Sequence, residues 1–255
     1  MTVKTVGELL FEKYLNAHRI KFEYEPPLPG TTKLIDYVVE HPTHGQILFE
    51  VKDIHHQPPA GSRTAFDPHK EIRGKIVKGA EKFKDLPDAL CALVLVAASG
   101  SFVDLLSPRI MLGAMYGDLG VTIPVNPDLG HLDASKIESK FLVGKGKMAR
   151  PNCFQHTRIA ALISLINYNT SSKEGLRYIM TDDGRTKEDR WADILNGTVK
   201  FNETPCVTVW ENGTAKRRLP QDIFRGDMDA WWTCDNGVQT RSFVGQKRLT
   251  LKIDG

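Results

Sequence analysis

The chain has 255 residues, 41% of them hydrophobic and 25% charged, with a formal net charge of +3. That length suits one large domain or two small ones. The composition is that of a globular protein, and the mild basicity is compatible with a polyanion partner without identifying one. No apolar run approaches the roughly 18 residues of a membrane helix, and the opening MTVKTVGELLFEKYL lacks the apolar stretch of a secretory signal. The four cysteines, Cys91, Cys153, Cys206 and Cys234, show no CxxC spacing, which argues against a zinc ribbon. Reduced thiols in a cytoplasmic chain without a membrane partner are expected.

Residues 5–18 read as a helix, with Val6, Leu10, Tyr14 and Ala17 on one stripe. Thr5 can cap it, and Glu8, three residues on, completes a capping box. A short strand over 21–24 precedes PPLPG, which breaks the chain. LIDYVVE (34–40) and QILFEVK (46–52) flank the turn HPTHG and predict a β-hairpin. Residues 53–69 predict a long loop carrying His55, His56, Arg63 and His69. A helix follows over 70–86, with Ile72, Ile76 and Phe83 on its apolar side, and CALVLVAA (91–98) predicts a buried strand with Cys91 in the core.

Beyond residue 100, PRIMLGAMYG (108–117) fits helix or strand, and 155–167 reads as an amphipathic helix carrying Ile159, Leu162, Ile163 and Ile166. A further helix over 186–195 and strands over 205–213 and 248–253 complete the reading. No linker-like stretch separates these parts, so a single α/β domain over 1–255 is expected.

The informative segment is the hairpin. Pairing Glu40 with Gln46 across the turn sets Tyr37 opposite Phe49, Val39 opposite Ile47, Ile35 opposite Val51, and Asp36 opposite Glu50. The six apolar residues then form one buried face, and a one-residue slip would destroy the match. Glu50 and Lys52, two apart on a strand, share the other face with Asp36. Two adjacent carboxylates repel unless a cation neutralises them or one is protonated. Oxygen-only ligands favour a hard cation, Mg²⁺ or, as a substitute, Mn²⁺. A cross-strand salt bridge on a solvated face is the plainer alternative.

The order GELLFEKYLNAHRIKFEYE, LIDYVVE, GQILFEVKD resembles the PD-(D/E)XK nuclease superfamily over roughly residues 5–98. Ile35 stands where that family's name has proline. The resemblance implies a restriction-endonuclease-like core, a central mixed sheet flanked by helices, with C-terminal elaboration. It implies an Mg-dependent deoxyribonuclease, an endonuclease of restriction, phage defence or DNA repair, or else a catalytically silent nucleic-acid-binding or interaction subunit. Asp36 and Glu50 would be metal ligands with the Val51 carbonyl as a third, Lys52 the catalytic lysine, and Glu8 a supporting member whose competing role is the helix cap. The helix after the hairpin resembles the superfamily's next helix, and Lys82 best matches its site-facing position. DNA is the implied partner, with a homodimer or partner subunit possible.

The 70–86 helix also offers Arg73, Lys75, Lys78 and Lys82 as phosphate contacts, with a solvated, charge-balanced face as the alternative. KGKMAR (145–150) and Lys216-Arg217-Arg218 are two further basic groups, the first without the ending of a P-loop. Trp231 and Trp232 fit either base stacking or core packing. The region from Pro205 to Gly245 resembles the terminal part of some bacterial nuclease-like proteins.

Overall fold

Thr5 and Glu8 start the first helix, α1 (Val6–Ala17). The Thr5 hydroxyl accepts from the Glu8 amide and the Glu8 carboxylate accepts from the Thr5 amide, closing the capping box. This arrangement belongs to a computed structural model that describes residues 3–55, 67–86, 88–97, 103–122, 138–142, 146–150, 153–169, 184–195, 203–235 and 238–243. The stripe that α1 buries is Gly7, Glu8, Phe11, Tyr14 and Leu15. Val6 and Ala17 of the expected stripe are exposed, so the buried face is rotated from the one read in the sequence.

Three strands follow: β1 (Phe22–Tyr24), β2 (Tyr37–His41) and β3 (Gly45–Ile54), an antiparallel meander. The β2–β3 register pairs Tyr37 with Phe49, Val39 with Ile47 and Glu40 with Gln46, as the hairpin pattern predicts. Helix α2 (Lys70–Lys82), extended by a 3-10 turn at Phe83–Asp85, returns the chain to β4 (Leu90–Ala97). β4 runs parallel to β3, so α2 is a crossover helix. Helix α3 (Pro108–Tyr116) resolves the ambiguous 108–117 segment.

Two small antiparallel pairs come next: β5 (Asp118–Thr122) with β6 (Glu138–Leu142), and β7 (Ala149–Arg150) with β8 (Cys153–Phe154). The main sheet continues with β9 (Ile159–Asn169), parallel to β4. Helix α4 (Lys187–Leu195) matches the expected 186–195 helix. With strands β10 (Glu203–Glu211), β11 (Ala230–Asp235) and β12 (Val238–Phe243), the described residues form an eight-stranded mixed sheet in the order β1-β2-β3-β4-β9-β10-β11-β12. The chain is therefore an α/β fold, a mixed sheet flanked by helices.

The 155–167 helix is corrected to β9. Its run IAALISLI is apolar but for the buried Ser164 because a central strand, parallel to β4 and antiparallel to β10, is buried on both faces. Two cores sandwich the sheet. One, under α1, gathers Phe11, Tyr14, Tyr37, Phe49, Val51, Val94 and Val96; the other, under α2 and α3, gathers Leu48, Ile72, Ile76, Leu93, Leu95 and Trp210. Ile35 joins the second core, not the first, because β2 begins at Tyr37 and the chain before it leaves the ladder. The second face of the hairpin is not uniformly polar either: Val38 and Leu48 are buried there, and the charged residues occupy one end of it. No helix among the described residues is long and apolar enough to cross a membrane. The expected strand at 248–253 lies outside the described residues.

Candidate active site

Glu50 sits in mid-β3, paired with Leu93 of β4 and one residue beyond the end of the β2 ladder, and is wholly buried. Asp36 stands just before β2 and is 6% exposed. Because the ladder ends at Tyr37, the Val51 amide finds no strand partner there; Asp36 Oδ2 accepts it at 2.7 Å. A strand residue points its N–H and C=O to the same side, so the Val51 carbonyl faces the same gap. Asp36 and Glu50 thus meet at the open end of the hairpin, on the side of α2.

Two lysines neutralise them. Lys52, two residues along the same face, donates to Glu50 Oε1. Lys82, the last residue of α2, places its Nζ 2.6 Å from Glu50 Oε1, 3.3 Å from Asp36 Oδ1 and 3.0 Å from the Leu34 carbonyl. Lys33 fastens the same segment to the end of α2 through the Glu81 carbonyl at 2.7 Å and Asp85 at 2.9 Å. At the other end of α2, Glu71 accepts the His55 amide at 2.9 Å. Helix and strand are commensurate between these anchors: Glu71 to Lys82 and Glu50 to His55 each span roughly 16 Å. α2 therefore runs antiparallel along β3, and its Glu71–Lys75–Lys78–Lys82 stripe leads from His55 to the charged end.

Burial raises the Glu50 pKa, Asp36 adds to the rise, and Lys52 and Lys82 oppose it without cancelling it. For Lys82, burial alone would lower the ammonium; the hydrogen bonds and charges of Glu50 and Asp36 outweigh it and hold its pKa above the usual value. Glu50 Oε2 is buried without a hydrogen-bond partner. On β1, burial and the charges of Glu8, Glu25 and Asp36 push the Tyr24 hydroxyl up to about 12. The Leu34 carbonyl was not legible as a site member, because it is a backbone atom.

Glu8 is not drawn into the Asp36–Glu50 pair. It is 7% exposed, and its carboxylate closes the α1 cap on the Thr5 amide at 2.6 Å. Among the described residues, no three His, Cys, Asp or Glu side chains converge as a metal-binding group. Glu8→Ala is expected to lower stability by about 1 kcal/mol through loss of the cap, read as a shifted urea midpoint, while Glu8→Gln holds the wild-type value.

Arg73 is corrected from the phosphate-binding set. It is 6% exposed, with its guanidinium on the Gly113 carbonyl at 3.1 Å and near Asp67, which ties α2 to α3. Its position explains this: one residue after Ile72, it lies on the face that meets α3. Lys75 is half-buried and Lys78 exposed, both on the Lys82 stripe. Trp231 and Trp232 are core residues. Trp232 stacks on Trp210 at 5.4 Å and Trp231 packs near Phe224, which removes them as base-stacking platforms. Within 145–150, Met148 is buried and its amide bonds to the Met115 carbonyl, so this segment packs on α3. Arg217 donates to the Asp88 and His44 carbonyls. His56, Arg63 and Lys145 lie outside the described residues.

No family model matches the chain, and neither curated proteins nor solved structures yield a match.

Proposed function

We propose that the chain is a metal-dependent nuclease that hydrolyses DNA phosphodiester bonds at Asp36, Glu50 and Lys52. One observation carries the reading: two carboxylates from adjoining segments converge at a strand opening, and Glu50 Oε2 is left buried without a partner. A buried, unpartnered carboxylate oxygen is costly unless a cation completes it. The oxygen-only set of Asp36, Glu50 and the Val51 carbonyl fits Mg²⁺ or Mn²⁺. A restriction-endonuclease-like core is part of the same proposal. It is supported by the order α1–β1–β2–β3–α2–β4, with the meander antiparallel and β4 parallel to β3.

A bound Mg²⁺ supplies Lewis acidity at the phosphate and lowers the pKa of a water. The chain's own residues do the rest. The Val51 amide fixes Asp36, and the pairing of β3 with β4 at Leu93 holds Glu50. Lys52 shares the Glu50 face, where its ammonium orients the attacking water and stabilises charge on the phosphate. Lys75 and Lys78 extend that positive surface along α2 toward a DNA backbone. Two-strand cutting is served by a homodimer or a partner subunit.

Purified protein with Mg²⁺ or Mn²⁺ is expected to cut at least one of linear, nicked, branched or single-stranded DNA. If all of these stay intact and no RNA is cut, the reading is wrong. A second reading has one observation in its favour: Lys52 and Lys82 already balance Asp36 and Glu50 in charge. A silent nucleic-acid-binding subunit would bind DNA but release no heat with Mn²⁺ that Asp36→Ala abolishes.

The raised Glu50 pKa sets the pH dependence. A protonated carboxyl is no ligand, so Mn²⁺ affinity is expected to fall as pH drops through that raised value, above the ordinary carboxylate range of about 4.3. Calorimetry across pH checks this, and Glu50→Gln removes the step.

A further inference from the structure

Lys82 and Lys52 both touch Glu50, but they are not equivalent. Among the described residues Lys52 pairs with Glu50, whereas Lys82 Nζ is shared by Glu50 Oε1 at 2.6 Å, Asp36 Oδ1 at 3.3 Å and the Leu34 carbonyl at 3.0 Å. Three oxygens from separate backbone positions converge on one cation. A divalent ion held by Asp36 and Glu50 would have Glu50 Oε2 open to it, but at Asp36, whose Oδ2 takes the Val51 amide, it would meet Lys82 on Oδ1. An ammonium and a divalent ion a few ångströms apart repel by several kcal/mol at an effective dielectric near 20. The two cations exclude each other.

The placement of Lys82 lets one leave without disturbing the fold. It ends α2, its side chain is one-third exposed, and it reaches the pair on a four-carbon stem. Lys52, by contrast, lies within β3 and is less exposed, at 23%. We infer that Lys82 is a built-in counter-cation that a divalent ion must displace from Asp36 and Glu50, and that its released ammonium then serves a substrate phosphate. This rests on the metal-site reading above and deepens it: the metal affinity of the site is set by an internal competitor.

The probe is Mn²⁺ alone. By calorimetry, Lys82→Met and Lys82→Gln are each expected to bind Mn²⁺ at least about tenfold more tightly than wild type, since charge-assisted hydrogen bonds are worth a decade or more each. Lys84→Met, on the exposed 3-10 turn away from the carboxylates, is expected to match wild type. A second readout uses the unaltered protein. Reductive methylation followed by peptide mass spectrometry should find Lys82 slow without Mn²⁺ and fast with it, relative to Lys84. Equal or weaker Mn²⁺ binding by both Lys82 variants overturns the inference and leaves the metal site standing. Lys82 methylation indifferent to bound Mn²⁺ also overturns it. An absence of binding heat in every protein, wild type and variants alike, overturns both readings together.

Discussion

Lys52→Met is expected to lower cleavage turnover by about a hundred- to ten-thousandfold, the range for removing a group that positions or exchanges a proton in the transition state. Met keeps most of the aliphatic stem and so keeps the packing along β3. What it removes is the ammonium beside Glu50, the charge best placed to orient a water and meet a developing negative phosphate. Single-turnover rates at saturating Mn²⁺ isolate this step from binding. The variant is expected to keep its Mn²⁺ heat, because Asp36, Glu50 and the Val51 carbonyl remain. Lys52→Arg should recover little. Its planar fork cannot occupy the site of a point-charge ammonium whose neighbour Glu50 is wholly buried. Turnover within about twofold of wild type would remove Lys52 from the chemistry, since a proton-handling group contributes far more than that.

Much of this site was legible because the hairpin obeys a strict period of two. Tyr37, Val39, Ile47 and Phe49 leave one register that buries all four, and the structure adopts it. Lys82 was legible from helical spacing combined with resemblance. The pairing of Asp36 with Glu50 was read as a ladder position, but the actual tie is different. Asp36 leaves the ladder and caps the Val51 amide with its side chain, a substitution of side chain for backbone that periodicity does not encode.

The failures have physical causes as well. Strand β9 carries Ile159, Leu162, Ile163 and Ile166, a spacing that mimics a helix, because a strand buried on both faces lacks the polar alternation that would reveal its true period; even its Ser164 is buried. Arg73 read as a surface cation because charge predicts exposure on a helix. Only the later arrival of α3, with the Gly113 carbonyl, makes its burial favourable. Glu8 was ambiguous between cap and site, and the local hydrogen bond three residues away occupies it. Such contacts depend on elements distant in sequence or on competition between partners, neither of which a single segment displays.

The largest stability effect is expected at Asp229, a wholly buried residue just before β11. Its Oδ2 accepts from the Tyr14 hydroxyl at 2.5 Å and the Gly226 amide at 2.6 Å, and its Oδ1 from the Val207 amide at 2.9 Å. One side chain thus joins α1, β10 and the loop that leads into β11. Asp229→Ala leaves three buried donors without an acceptor, each costing about 1–3 kcal/mol, so a loss of about 3–5 kcal/mol is expected after relaxation. Against a typical domain stability of about 5–15 kcal/mol, that brings the fold close to its limit. Tyr14→Phe removes one of the three donors and should cost about 1 kcal/mol. Combining the two substitutions tests the contact directly: urea unfolding of the single and double variants should give a coupling of at least about 1 kcal/mol. The sign with pH follows from burial, which raises the Asp229 pKa although its three hydrogen bonds lower it. The group's contribution is greatest below the ordinary aspartate value of about 3.9 and is lost as pH rises through the raised one. Asp229→Asn should therefore abolish that decline while wild type shows it. Additive losses in the double variant, or an Asn variant with an unchanged pH profile, would place the stabilisation elsewhere in the α1–β10 contact.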